Sequence, residues 1–227
     1  MSLNPTPISF IVEGAPRALL IHLTDDHIVD DRIADETANR LRGLCGDFAW
    51  AALGVTDWNG DLPPWPAPAA FAGAAFAGRG PDTLDALRGA LPDLQARLPR
   101  PLPVCLGGYS LAGLFALWAA HASDAFAAAV AASPSVWLPG WDAWADARRP
   151  ARIPFYLSLG LKESKARNPM LATVGDAIRR QHARLEAAGC PCVLEWNPGG
   201  HFVDPEGRTA RGLAWALSHM AGEGRTL

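Results

Sequence analysis

Ser110 stands in Gly107-Gly108-Tyr109-Ser110-Leu111-Ala112-Gly113, with a glycine two residues before it and an alanine two residues after. An apolar run at 103–106 precedes this stretch, and Leu114-Phe115-Ala116-Leu117-Trp118-Ala119-Ala120 follows with the composition of a buried helix. The chemistry implied is that of an activated hydroxyl. A serine on a tight strand-to-helix bend takes a strained backbone conformation, lifts its Oγ clear of the sheet and sits at a helix N-terminus. Small residues at 108 and 112 let the neighbouring backbone pass without collision. Alanine at the second small position is a mild departure from G-x-S-x-G. A glycine-rich turn with an incidental serine is the plain alternative, and the strand before and helix after argue against it.

A serine hydroxyl attacks well only when a base takes its proton. Of the six histidines, His201 lies in Asn197-Pro198-Gly199-Gly200-His201-Phe202, after the last expected strand and before the last expected helix. A hydrolase of this chain order, nucleophile then acid then histidine, supplies its base from that loop. A loop histidine that caps the next helix is the competing reading. His22 falls in a strand and His121, His182 and His219 fall on helices, so structural roles are expected for them. The third member would be a carboxylate that fixes the imidazole tautomer. Glu163, just past the strand at 155–159, is the choice, with Asp142 and Asp146 as alternatives and a Ser–His dyad also open. An oxyanion would be met by the backbone N–H of Leu111 and by that of Thr24 or Asp25, after the second strand. Tyr109 and the loop tryptophans Trp58, Trp65, Trp137 and Trp141 are candidates for a pocket wall, although tryptophans that plug the sheet edge would look the same in sequence. Asp25 and Asp26 lack further ligands nearby, so no metal and no cofactor is expected.

These residues need a scaffold that brings strand ends together. Short apolar runs at 8–12, 18–23, 48–55, 103–107, 127–132, 155–159 and 192–196 alternate with helical stretches at 31–43, 81–98, 111–123, 174–188 and 205–221. That alternation predicts an α/β fold with a mostly parallel central sheet and helices on both faces, in a single domain spanning residues 1–227. Leu84, Leu87, Leu91 and Leu94 recur at helical spacing, and Gly189 follows Ala188 where a left-handed helix cap belongs. Residues 57–80, rich in Pro, Ala and Gly with Trp58, Trp65, Phe71 and Phe76 among them, read as a long functional loop, and residues 142–150 as a second irregular stretch.

With 227 residues, 49% of them hydrophobic, the chain can bury a large core. A net charge of −3 and only two lysines, Lys162 and Lys165, give no basic stripe, so neither nucleic acid nor an anionic membrane is an expected partner. No apolar run approaches the roughly 20 residues that span a bilayer. The N-terminus shows no basic-then-apolar secretory pattern. The four cysteines, Cys45, Cys105, Cys190 and Cys192, lack redox or zinc spacing, and the expectation is a reduced, cytoplasmic protein of unspecified oligomeric state.

The segment around Ser110, then Ser133-Pro134-Ser135-Val136-Trp137, then Leu159-Gly160 through Glu163 to Met170, then Gly199-Gly200-His201-Phe202, occur in that order. Together they resemble the esterase family of α/β-hydrolases that includes the ferric enterobactin and salmochelin esterases and S-formylglutathione hydrolase, over roughly residues 100–220. The resemblance implies an α/β-hydrolase fold and a serine carboxylic-ester hydrolase, with Ser110 as nucleophile, His201 as base and Glu163 as acid. The family's Leu-Asp-Gly-like turn is replaced here by Leu23-Thr24-Asp25-Asp26, which leaves the second oxyanion donor open. An added N-terminal domain of the enterobactin-esterase kind is not expected, and a catecholate-siderophore substrate is therefore not implied by the resemblance. The expectation is a hydrolase of a small-molecule ester. A thioesterase or acyltransferase on the same site, or an inactive binding module that keeps the bend for folding, are the alternatives.

Overall fold

The computed structural model describes residues 7–25, 32–70 and 75–220, the side chains of 32–35 excepted. Asp26 and Phe71, named above, the sixth histidine, His27, and the outer ends of the helical stretches at 31 and 221 lie outside these residues.

The strands are β1 (Ser9–Glu13), β2 (Leu19–Asp25), β3 (Phe48–Val55), the short pair β4 (Pro66–Ala67) and β5 (Phe76–Ala77), then β6 (Val104–Tyr109), β7 (Ala128–Ala132), β8 (Phe155–Gly160) and β9 (Cys192–Asn197). The helices are α1 (Arg32–Arg42), α2 (Trp58–Asp61), α3 (Gly80–Gln95), α4 (Leu111–Ala122), α5 (Trp141–Asp146), α6 (Pro169–Ala172), α7 (Val174–Ala187) and α8 (Pro205–Met220). Seven strands form one sheet in the order β1-β3-β2-β6-β7-β8-β9, parallel throughout except for β1, which runs antiparallel along the edge of β3. β4 and β5 make a separate antiparallel pair inside the stretch read as a loop.

Alternation along each strand feeds two cores, one on each face. Leu19, Ile21, Leu23, Ala49, Ala51 and Leu53 point to the face covered by α3, α4, α5 and α7. Leu20, Phe48, Trp50 and Ala52 point to the other, covered by α1 and by Ala210, Leu213, Ala216 and Leu217 of α8. Such two-sided burial is why the parallel strands read as continuous apolar runs. The leucines of α3 follow the expected stripe, with Leu84, Leu87 and Leu94 buried. Gly189 has φ +74°, the left-handed cap predicted after α7. Trp118 is buried on α4, whereas Trp215 is only half-buried on α8, packed between Tyr156 and His219 instead of in the core.

The chain order fixes where a site can form. β2 lies in the interior of the sheet, β3 is added on one side of it, and the next sheet strand, β6, on the other. The crossovers therefore diverge at β2 and β6, leaving a crevice beyond their carboxyl ends, the usual binding place in an open α/β sheet. Those ends carry Thr24 and Asp25 on one strand and Tyr109 and Ser110 on the other.

His22, midway along β2, is buried against Trp50, and burial alone lowers its pKa from the ordinary 6.5 to about 4. The unfolded chain thus takes up a proton near pH 6.5 that the folded chain refuses until about pH 4. Stability present above pH 6.5 is lost as the pH falls through this window, by about 3 kcal/mol in total. Urea unfolding from pH 7.5 to 4.5 should show this slope, and His22→Phe should flatten it.

Candidate active site

Ser110 occupies the bend between β6 and α4 with φ 58° and ψ −118°, a left-handed-side conformation that costs a non-glycine residue about 1–3 kcal/mol. Its surroundings hold it there. Its N–H donates to Ala132 C=O at 3.0 Å, and its own C=O accepts from Leu114 N–H at 3.0 Å and Ser135 N–H at 3.1 Å. A side chain at Gly108 would place Cβ 2.5 Å from Ala112 Cβ, so the two small positions flanking the serine are in mutual contact and the bend closes only because Gly108 has no side chain.

His201, in the loop between β9 and α8, brings Nε2 to 3.1 Å from Ser110 Oγ. Its Nδ1 lies 2.8 Å from Glu163 Oε2. A carboxylate can only accept, so Nδ1 carries the hydrogen and Nε2 is left free to accept from the serine hydroxyl. Glu163 opens the short 3-10 turn Glu163–Lys165 just past β8. Its side chain is buried, and its second oxygen accepts from Ser133 Oγ at 2.8 Å and from Gly160 N–H at 2.7 Å. Burial works against its charge, but the hydrogen bonds from His201, Gly160 and Ser133 outweigh it and hold the pKa below the usual glutamate value. Asp142 and Asp146, the alternative acids, lie elsewhere and pair with Arg180 and Arg184 of α7.

Sequence reading missed Arg208. This arginine, fully buried on α8, sets Nη1 3.0 Å from Glu163 Oε1, from Ser133 Oγ and from Tyr109 Oη. Its Nη2 donates to the carbonyls of Pro198 and Gly200, on the loop that carries His201. Tyr109 in turn donates its hydroxyl to His201 C=O at 2.5 Å. One guanidinium thus braces the acid, the residue before the serine and the histidine loop. The signal in the sequence was helical spacing: Arg208 shares the buried face of α8 with Gly212 and Ala216, a face where an arginine needs partners. Arg208→Met should lower unfolding free energy by about 3–5 kcal/mol, because it strands a buried carboxylate, and urea denaturation measures it.

Two cavities flank the Ser110–His201 pair. The first, about 320 Å³, is bordered by His22, Thr24, Asp25 and Thr37 from β2 and α1 and by Glu206 and Thr209 from α8. The second, about 440 Å³, is walled by Phe76, Trp137, Leu171 and Val174 and also reaches Leu111 and Ser135. Trp58, Ser110, His201 and Phe202 border both, and Phe202 is 92% exposed at the mouth. His22, read as structural, therefore also faces a cavity. Ser135 Oγ lies 3.4 Å from Ser110 Oγ.

Of the residues expected to line a pocket, Tyr109 and Trp58 border the first cavity and Trp58 and Trp137 the second. Trp65 borders neither: its indole donates to Pro139 C=O at 2.8 Å and its ring stacks on Trp141 and packs against Trp144. Trp141 is buried on α5, where its indole donates to Gln181. The apolar faces of these rings are consumed by one another, which keeps them from a ligand. Of the residues expected to supply oxyanion donors, Thr24 and Asp25 border the first cavity and Leu111 the second, and both cavities reach Ser110. Leu111 is the first residue of α4, where a backbone N–H has no partner within the helix.

No protein-family model and no curated protein matches the sequence. Solved structures do match the fold. An IroE-like serine hydrolase from Shewanella oneidensis superposes with a TM-score of 0.74 at 12% identity, over 92% of this chain and 74% of that one. Siderophore hydrolase EstA from Aspergillus nidulans gives 0.70 at 20% identity, over 91% and 84%. Esterase PE8 gives 0.61 at 19% identity, over 96% of this chain and 100% of its own. At these identities the likeness establishes the fold, which is that of the α/β-hydrolases. Among the described residues no helix is long and apolar enough to cross a membrane.

Proposed function

We propose that this α/β-hydrolase-fold chain is a serine hydrolase of small-molecule carboxylic esters, with Ser110 as nucleophile, His201 as general base and acid, and Glu163 as the carboxylate that orients it. The observation that carries the reading is the unbroken chain from Ser110 Oγ through His201 to Glu163, with links of 3.1 and 2.8 Å, at the edge of two cavities. In this mechanism His201 Nε2 takes the hydroxyl proton as Ser110 Oγ attacks the ester carbonyl carbon. The carbonyl oxygen becomes an oxyanion, held by the Leu111 N–H and by that of Thr24 or Asp25. The C–O bond to the alcohol then breaks, and His201 gives its proton to the leaving oxygen. Water, deprotonated by the same imidazole, attacks the acyl-serine and returns Ser110 to its starting state. Glu163, held ionised by its hydrogen bonds, stabilises the imidazolium in each half-reaction.

The cavities on both sides of Ser110 suit an ester with a substituent on the acyl half and another on the alcohol half. A thioesterase or acyltransferase would use the same acyl-serine. Kinetics on p-nitrophenyl esters, on matched acyl thioesters, and on esters with added alcohol acceptors separate the three. Faster turnover of the oxygen ester with water as acceptor supports the proposal, and a preference for thioester or for transfer to alcohol replaces it.

A further inference from the structure

The two cavities differ in charge. The larger one is bordered by Lys162 and Lys165, and its one carboxylate, Glu163, is engaged by His201, Ser133, Gly160 and Arg208. The smaller one is bordered by Asp25 and Glu206 and, among the described residues, by no lysine or arginine. The asymmetry is specific, because these are the chain's only two lysines. Arg40, Arg42, Arg79, Arg180, Arg184, Arg208 and Arg211 are spent on carboxylates of the protein itself, whereas neither lysine forms an ion pair among the described residues.

Local geometry explains why both lysines border one cavity. Lys165 N–H donates to Lys162 C=O at 3.1 Å, closing a 3-10 turn. Residues three apart in such a turn stand on the same side. Glu163, between them, turns inward to His201. One turn therefore sets two exposed lysines at the border of the cavity and turns the carboxylate between them to the histidine. Trp58, Phe76, Trp137, Leu171 and Val174 give the cavity an apolar wall, beside the polar Asn59, Ser110, Ser135 and His201.

Building on the ester-hydrolase reading, we propose that the larger cavity selects esters that carry an anionic group, a carboxylate on an apolar or aromatic stem, which Lys162 and Lys165 receive while the stem lies against Trp58, Phe76 and Trp137. The carboxylate can come from either half of the ester, as a dicarboxylic acid esterified at one end or as an esterified hydroxy acid.

The test compares kcat/KM within two matched pairs: p-nitrophenyl hemiglutarate against p-nitrophenyl butyrate, and 4-carboxyphenyl butyrate against phenyl butyrate. The wild type should favour the anionic member of one pair by about tenfold at low salt, the size expected of two solvent-accessible ion pairs. Which pair responds identifies the half that carries the charge. The preference should reside in KM and shrink as ionic strength rises from about 0.05 to 0.5 M, since exposed charges are screened. In Lys162→Met/Lys165→Met the anionic-to-neutral ratio should fall to about one, whatever the neutral rate, and in Lys162→Arg/Lys165→Arg it should be retained. Neutral esters turned over with no anionic preference in either pair, or a preference that survives the methionine variant, overturns the inference and leaves the hydrolase reading standing. Absence of turnover for all four esters overturns both.

Discussion

Ser110→Ala should cut kcat/KM for an activated ester by about a million-fold, the loss seen when serine hydrolase groups act as a unit. The reasoning is one of bonds. Without Oγ no acyl-serine can form, and the His201 imidazole, 3.1 Å from the vacated position, can only activate water against an unanchored carbonyl. The residual rate would come from the oxyanion donors and substrate binding. Alanine carries the same Cβ as serine, so it inherits the φ 58° strain without adding to it, and the melting temperature should move little. Unchanged folding with lost turnover separates a chemical role from a structural one. Steady-state rates on p-nitrophenyl butyrate beside a thermal melt make the measurement.

Glu163→Gln should cost about ten-thousand-fold in kcat, on the pattern by which a neutral amide in place of the triad carboxylate leaves the imidazole in the wrong tautomer. Glu163 receives the Nδ1 hydrogen of His201 at 2.8 Å, which leaves Nε2 as the acceptor facing Ser110. A glutamine can turn its NH2 towards Nδ1, and the imidazole hydrogen then moves to Nε2, where it blocks proton transfer from the serine. The substitution also removes the negative charge beside the buried Arg208 guanidinium, so a drop in stability should accompany it. The discriminating readout is the acylation rate in single turnover. An orienting acid slows acylation and deacylation together, and a glutamate that merely holds Arg208 would alter stability and leave both rates near wild type.

Much of this architecture was legible in the sequence, for identifiable physical reasons. The interior sheet strands could be found because two-sided burial makes each an apolar run, such as Leu19-Leu20-Ile21 or Phe48-Ala49-Trp50-Ala51. Helices of three turns or more, such as α3 and α8, announced themselves by period. The short α2, α5 and α6 did not, because four to six residues hold too little periodicity and are fixed by tertiary partners: Asp57 capping Gly60 N–H, Asn168 capping Met170 N–H, Trp141 reaching Gln181. For the candidate site, Ser110, His201 and Glu163 stood out by their place after strand ends, with Asp142, Asp146 and a dyad still open, and the fold brings these three within hydrogen-bond reach. Arg208 was hidden because its partners come from four separate segments, Tyr109, Ser133, Glu163 and the 198–200 loop. Trp65 was misplaced for a related reason. An aromatic in a loop can face a cavity or another aromatic, and here Trp141 and Trp144 claim it.

The most direct trial of the central claim is covalent labelling with a fluorophosphonate, followed by intact-mass and peptide mass spectrometry of wild type, Ser110→Ala and His201→Ala. The account predicts a single adduct on the Ser110 peptide of the wild type, none in Ser110→Ala, and labelling slowed by several orders of magnitude in His201→Ala. Folded wild-type protein that takes no label, or that takes it on another residue, would contradict it.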